Sequence, residues 1–117
     1  MADISVSVVE PALRASDDPL AGELLARLRQ QAPTRVRTTR PYPRGAALEL
    51  YQRKAAKGDR PWVRTDGYAA LLAALSATSE DQVIVHGVTF PDAVYLVLTD
   101  GTRRRCLGLL RKRRLIG

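Results

Sequence analysis

The 117-residue chain has little of what catalytic and metal-binding chemistry draws on: one cysteine, one histidine, one tryptophan and one phenylalanine. The single thiol, Cys106, excludes an internal disulfide and a cysteine-based metal cluster. With only His86 beside it, a structural zinc site has no ligand set, so no metal is expected. The eight glycines are scattered and none precedes a Lys-Ser/Thr pair, which removes the phosphate-cradling loop of nucleotide-dependent enzymes and leaves no cofactor to expect. Long apolar runs are missing too. The longest uncharged stretch, Gly67 to Ser79, is 13 residues, short of the roughly 20 that span a bilayer. The first residues are acidic and lack an apolar run, so neither a secretory signal nor a membrane is expected, and the cytoplasm is the expected compartment.

Positive charge is absent from one long segment and crowded into two others. Residues 65–102 contain no Lys or Arg and five acids, whereas residues 34–64 hold nine basic groups against two acids. Residues 103–117 hold seven basic groups and no acid. A GC-rich genome explains a preference for Arg over Lys, 16 to 3 here, but codon bias does not make blocks.

At this length one core is expected, in a single domain over 1–110 followed by a short basic tail, 111–117. Asp3 to Val9 alternates Ile4, Val6 and Val8 with serines, the period of a half-buried strand that Pro11 ends. Asp18 before Pro19 is a helix start, and Leu20, Leu24, Leu25 and Leu28 make the apolar stripe of a helix to Gln31. Thr34 to Arg40 suits a short edge strand or extended loop, with Arg35 and Arg37 on one side. Ala46 to Lys57 reads as a helix stopped by Gly58, and 58–64 as a loop. A third helix, capped by Thr65 or Asp66 and running to Thr78, has no charge on any face and is expected to be buried on most sides. Gln82 to Phe90, Ala93 to Leu98 and Thr102 to Leu110 are three strands, the last two joined by a two-residue turn at Asp100-Gly101 that sets Leu98 opposite Arg103. The order β-α-(β)-α-α-β-β-β implies an α+β two-layer sandwich with a C-terminal antiparallel meander, its helices over one side of the sheet.

Few residues invite a catalytic assignment, and none is made. His86 sits inside a predicted strand, with no hydroxyl or carboxylate at local spacing to form a dyad. The candidate binding residues are the basic blocks and the rings between them. The first comprises Arg35, Arg37, Arg40, Arg44, Arg53, Lys54, Lys57, Arg60 and Arg64, interleaved with Tyr42, Tyr51 and Trp62. The second comprises Arg103, Arg104, Arg105, Arg111, Lys112, Arg113 and Arg114. Guanidinium groups grip phosphates through two parallel hydrogen bonds, and rings offer bases a stacking face. A small, non-catalytic nucleic-acid-binding module is therefore the leading expectation. An adaptor or inhibitor that meets an acidic protein surface, such as a phage or mobile element encodes, is the second. A small basic ribonuclease is the third. No zinc-finger, helix-turn-helix or RNA-recognition signature implies sequence readout.

Overall fold

The computed structural model describes residues 9–57 and 63–114. The chain runs α1 (residues 9–14), α2 (Pro19–Gln30), β1 (Arg35–Thr38), β2 (Tyr42–Pro43), α3 (Arg44–Lys57), β3 (Val63–Asp66), α4 (Tyr68–Ala77), β4 (Gln82–Thr89), β5 (Ala93–Thr99) and β6 (Cys106–Arg114). It is an α+β fold, and the elements expected from the sequence within the described residues occur in the expected order. The strand expected over Asp3–Val9 lies outside the described residues except for Val9, which is helical. Pro11 lies within this described helical segment.

The sheet is antiparallel in the order β1-β4-β5-β6-β3, with β2 pairing the start of β4 beyond the end of β1. Side chains alternate between faces along each strand, and directly opposed residues share a face. On one face, Val36, Val88, Tyr95, Val97 and Leu109 pack with Val9 and Leu13 of α1 and Ala21 and Leu24 of α2. On the other, Val83, Val85, Leu98 and Leu110 pack with Ala47 and Tyr51 of α3 and Leu71 and Leu75 of α4. Helices thus lie on both sides of the sheet instead of one, because α1 and α2 carry one apolar stripe and α3 and α4 a second.

Local chemistry explains where the elements begin. Asp18 accepts a hydrogen bond from the Leu20 N–H at 2.9 Å, and Pro19 occupies the first turn of α2. The cap of α4 is neither Thr65 nor Asp66, which belong to β3, but Gly67 at φ 103°, a left-handed conformation suited to glycine. Leu71 and Leu75 of α4 are fully buried. Leu72 is only half-buried, and Ala69, Ala70, Ala73, Ser76 and Ala77 are exposed. The absence of charge on α4 therefore does not mark a helix buried all round: alanine favours helix at little hydrophobic cost when exposed.

The β5–β6 connection differs most from its expected form. Leu98 pairs with Gly108 and Leu96 with Leu110, five positions from the expected register. The turn is a loop, Asp100 to Arg105, in which Arg103 takes the positive φ, 62°, and Gly101 does not. Asp100 is buried and organises the loop: Thr102 Oγ1 donates to both carboxylate oxygens and the Arg104 N–H to one of them. A bulge between Leu98 and Thr99 makes Leu107 the extra residue, turned into the α3–α4 core, while Cys106 packs toward α1 and α2. Residues 111–114 are not a tail. They extend β6 between β5 and β3, with Lys112 opposite both Val94 and Thr65.

Candidate nucleic-acid interface

The structure divides the basic residues into those tied into the fold and those presented by it. Arg44 is half-buried and its Nη1 donates at 3.0 Å to the Leu75 carbonyl, so it caps the C-terminal end of α4. Arg111 is half-buried and pairs with Glu23, which also accepts the Tyr95 hydroxyl. Burial of Glu23 opposes its ionisation, yet the hydrogen bonds from Arg111 and Tyr95 hold its carboxyl below the usual range. Arg27 pairs with Asp92 and stacks 4.2 Å above the Phe90 ring. Glu23, Arg27, Asp92, Tyr95, Arg111 and the exposed Arg113 line an open recess of about 570 Å³ between α2 and the β5–β6 pair. The carboxylates of Glu23 and Asp92 already answer its charges.

Lys54 lies over the Tyr51 ring at 5.8 Å, and Arg53 and Lys57 are exposed on the outer side of α3. Arg40 is exposed between β1 and β2. Arg60 and Trp62 lie outside the described residues, and Arg64 stands in β3 opposite Arg113 in the backbone register. Tyr42, expected as a stacking ring, is half-buried against the α3–α4 core and hydrogen-bonded to Tyr51. Arg103, Arg104 and Arg105 are exposed in the β5–β6 loop, and Arg105 pairs with Glu80 at 3.1 Å.

Two parts of the basic blocks meet on one face. Arg35 pairs with Thr89, Thr89 with Val94, and Val94 with Lys112, so these four residues form one row across the sheet with their side chains on the same side. The next row is Arg37, Gly87, Leu96 and Leu110. Helices α3 and α4 cover this face from Leu110, Leu98 and Val85 onward. Among the described residues, the apolar core under α3 and α4 does not reach the end bearing Arg35, Arg37, Thr89, Val94 and Lys112. Arg35 and Arg37 are exposed, Thr89, Val94 and Lys112 are half-buried, and Val94 belongs to neither apolar core. Three strand spacings separate Arg35 from Lys112, about 14 Å between backbones. Arg35 and Arg37 form no ion pair among the described residues.

The sequence misses Thr89 and Val94 as members of this surface. Both alternations of AVYLVL are apolar, so the pattern gives no sign of which end of which face the α3–α4 core does not reach. Lys112 lies beyond Leu110, where the apolar pattern of the last strand ends, so the pattern alone does not place it on the sheet.

His86 is fully buried in β4. Its Nδ1 lies 3.0 Å from Thr38 Oγ1 and its Nε2 2.9 Å from Thr99 Oγ1. Burial, aided by the nearby charge of Arg103, pushes its pKa down to about 4, so the imidazole is neutral at pH 7. Cys106 is half-buried, and its thiol pKa is raised by burial, which suits packing better than reactivity. Among the described residues no three His, Cys, Asp or Glu side chains converge as metal ligands, and no helix is long and apolar enough to cross a membrane. Comparison with protein-family models, with curated proteins and with solved structures finds no match to this chain.

Proposed function

We propose that this protein is a small, non-catalytic module that binds nucleic acid through its phosphate backbone, at the end of the sheet bearing Arg35, Arg37 and Lys112. The observation that carries the reading is the shared row of Arg35 and Lys112, drawn from two basic blocks 77 positions apart in the chain and set on one face by the strand register. A sheet face with cations on β1 and β6 and short side chains between them suits a ligand whose charges are regularly spaced and whose bases are not read. The lone, half-buried cysteine suits action in the cytoplasm. A salt titration of binding tests the proposal. With about three phosphates neutralised by Arg35, Arg37 and Lys112, log affinity falls linearly with log salt with a slope near −3. Arg35→Gln with Arg37→Gln flattens it by about 2 units.

A second reading has its own observation. Val94 gives the patch an apolar centre, next to the partly buried Leu96 at the margin of the α3–α4 core, inside a charged surround, which is also the anatomy of a protein interface. Absence of binding to every nucleic acid at low salt, together with a stoichiometric complex with an acidic protein, transfers the face to an adaptor or inhibitor role.

A further inference from the structure

We infer that the loop between β5 and β6 is a second binding element, shaped to take an acidic peptide segment of a partner protein. Residues 101–105 are all exposed, and the last three are consecutive arginines. Arg103 and Arg104 form no ion pair among the described residues. The loop that carries them is fixed from within. Buried Asp100 accepts the Thr102 hydroxyl at 2.8 and 2.9 Å on its two oxygens, and the Arg104 N–H at 3.3 Å on one of them. The Arg103 N–H donates to the Asp100 carbonyl at 3.0 Å, and the Asp100 N–H to the Arg105 carbonyl at 3.2 Å.

The backbone carries a cost at the same place. Arg103 takes φ 62°, the one positive value outside glycine among the described residues, while Gly101, which adopts that region freely, does not. Side chains held in the left-handed region gather at ligand clamps, where what they present outweighs the strain. What Arg103 presents is a guanidinium. A loop ordered in advance spares its partner much of the entropy of fixing these side chains.

The neighbouring charges favour a peptide over a nucleic acid. Arg105 pairs with Glu80 at 3.1 Å, and Asp81 next to Glu80 is exposed, so two carboxylates border the three guanidinium groups. A phosphate backbone carries charge at every step and meets those carboxylates as repulsion. A peptide sets its acids against Arg103 and Arg104 and a neutral residue toward Glu80 and Asp81. Each guanidinium then grips one carboxylate through two parallel hydrogen bonds. The loop follows the end of β5 remote from Val94, whose row carries Arg35, so it stands apart from the surface assigned to phosphates.

The test titrates the full chain with a labelled short peptide of alternating Glu and Gly residues. A Gln–Gly peptide and a single-stranded oligonucleotide of the same charge as the Glu peptide serve for comparison. Fluorescence anisotropy gives the affinities, and backbone amide chemical shifts show which residues are touched. The Glu peptide is expected to bind and to move the amides of residues 101–105, whereas the Gln peptide does neither. Arg103→Gln with Arg104→Gln weakens binding about tenfold or more, since charge-assisted hydrogen bonds are lost. Arg53→Gln with Lys57→Gln, an equal loss of charge on α3, changes it less than about threefold. Asp100→Ala adds net positive charge, so charge alone predicts tighter binding and a pre-ordered loop predicts weaker binding. Thr102→Val removes the hydroxyl donor at constant charge and weakens binding in the same direction, and thermal melts of all variants confirm the fold. The inference is overturned by a Glu peptide whose affinity survives the loss of Arg103 and Arg104. An oligonucleotide that moves the loop amides at lower concentration than the peptide overturns it too, as does unweakened binding in both Asp100→Ala and Thr102→Val.

Discussion

Between the hydroxyls of Thr38 and Thr99, His86 is held as a neutral base: one ring nitrogen donates and the other accepts, whichever tautomer is present. Its folded pKa of about 4 lies below the ordinary 6.5, so between these values the unfolded chain binds the proton and the native one does not. The contribution to stability is therefore complete above about pH 6.5 and is lost as pH falls toward 4, amounting to about 3 kcal/mol over the window. The carboxyls of Glu23, Asp92 and Asp100, all held low, lose their contributions only further down. The melting temperature is expected to fall between pH 7 and pH 5, and in His86→Gln that dependence disappears. A flat profile for the unmodified protein would mean that the imidazole protonates freely inside the fold.

At the scale of elements, α4 reaches the sheet through a missing side chain. A Cβ on Gly108 would stand 2.4 Å from Leu71 Cδ1, and Leu71 is fully buried with little room to turn. Gly108→Ala is expected to cost about 1–3 kcal/mol by overpacking. In a Leu71→Ala background the same change costs less, with a coupling of about 0.5 kcal/mol or more that denaturant unfolding of the four proteins measures. Sequence patterns reveal elements of this kind unevenly. The Asp18-Pro19 cap and the leucine stripe identify α2 because the signal and its cause lie within one turn. The β5–β6 register is not local. Asp-Gly alone favours a tight turn, but that pairing sets Arg103 beside Leu98, on the side that α3 and α4 bury. The observed shift brings Gly108 and Leu110 there and leaves three arginines in the loop. The candidate interface divides the same way: Arg35 and Arg37 were legible as one face of an edge strand, while Lys112 depended on that register.

Over the whole molecule, acids from the acidic segments neutralise part of the basic blocks. Glu23 takes Arg111 and Glu80 takes Arg105, which leaves the arginines of β1 outward. The loop arginines stand at the opposite end of β5 from Val94, about 17 Å away along five residues of strand. Changing Arg103, Arg104 and Arg105 together to Gln is accordingly expected to alter the salt slope by less than about 1 unit, although these are three of seven charges in the second block. A flattening of about 2 units or more in the same titration would show that the ligand extends to that end.

The short outer strands have a consequence for crowded solutions. The outer strands β1 and β3 are each only four residues long, β1 reading RVRT and β3 reading VRTD. A second copy seeking to extend the ladder at β1 meets two exposed arginines within those four residues, and β1 against β1 would gather four guanidinium groups around one short ribbon. Like charges crowded across so few backbone hydrogen bonds disfavour growth of that ribbon. The same arginines that suit an anionic ligand thus guard this margin, an edge among the described residues, against fibrous self-association.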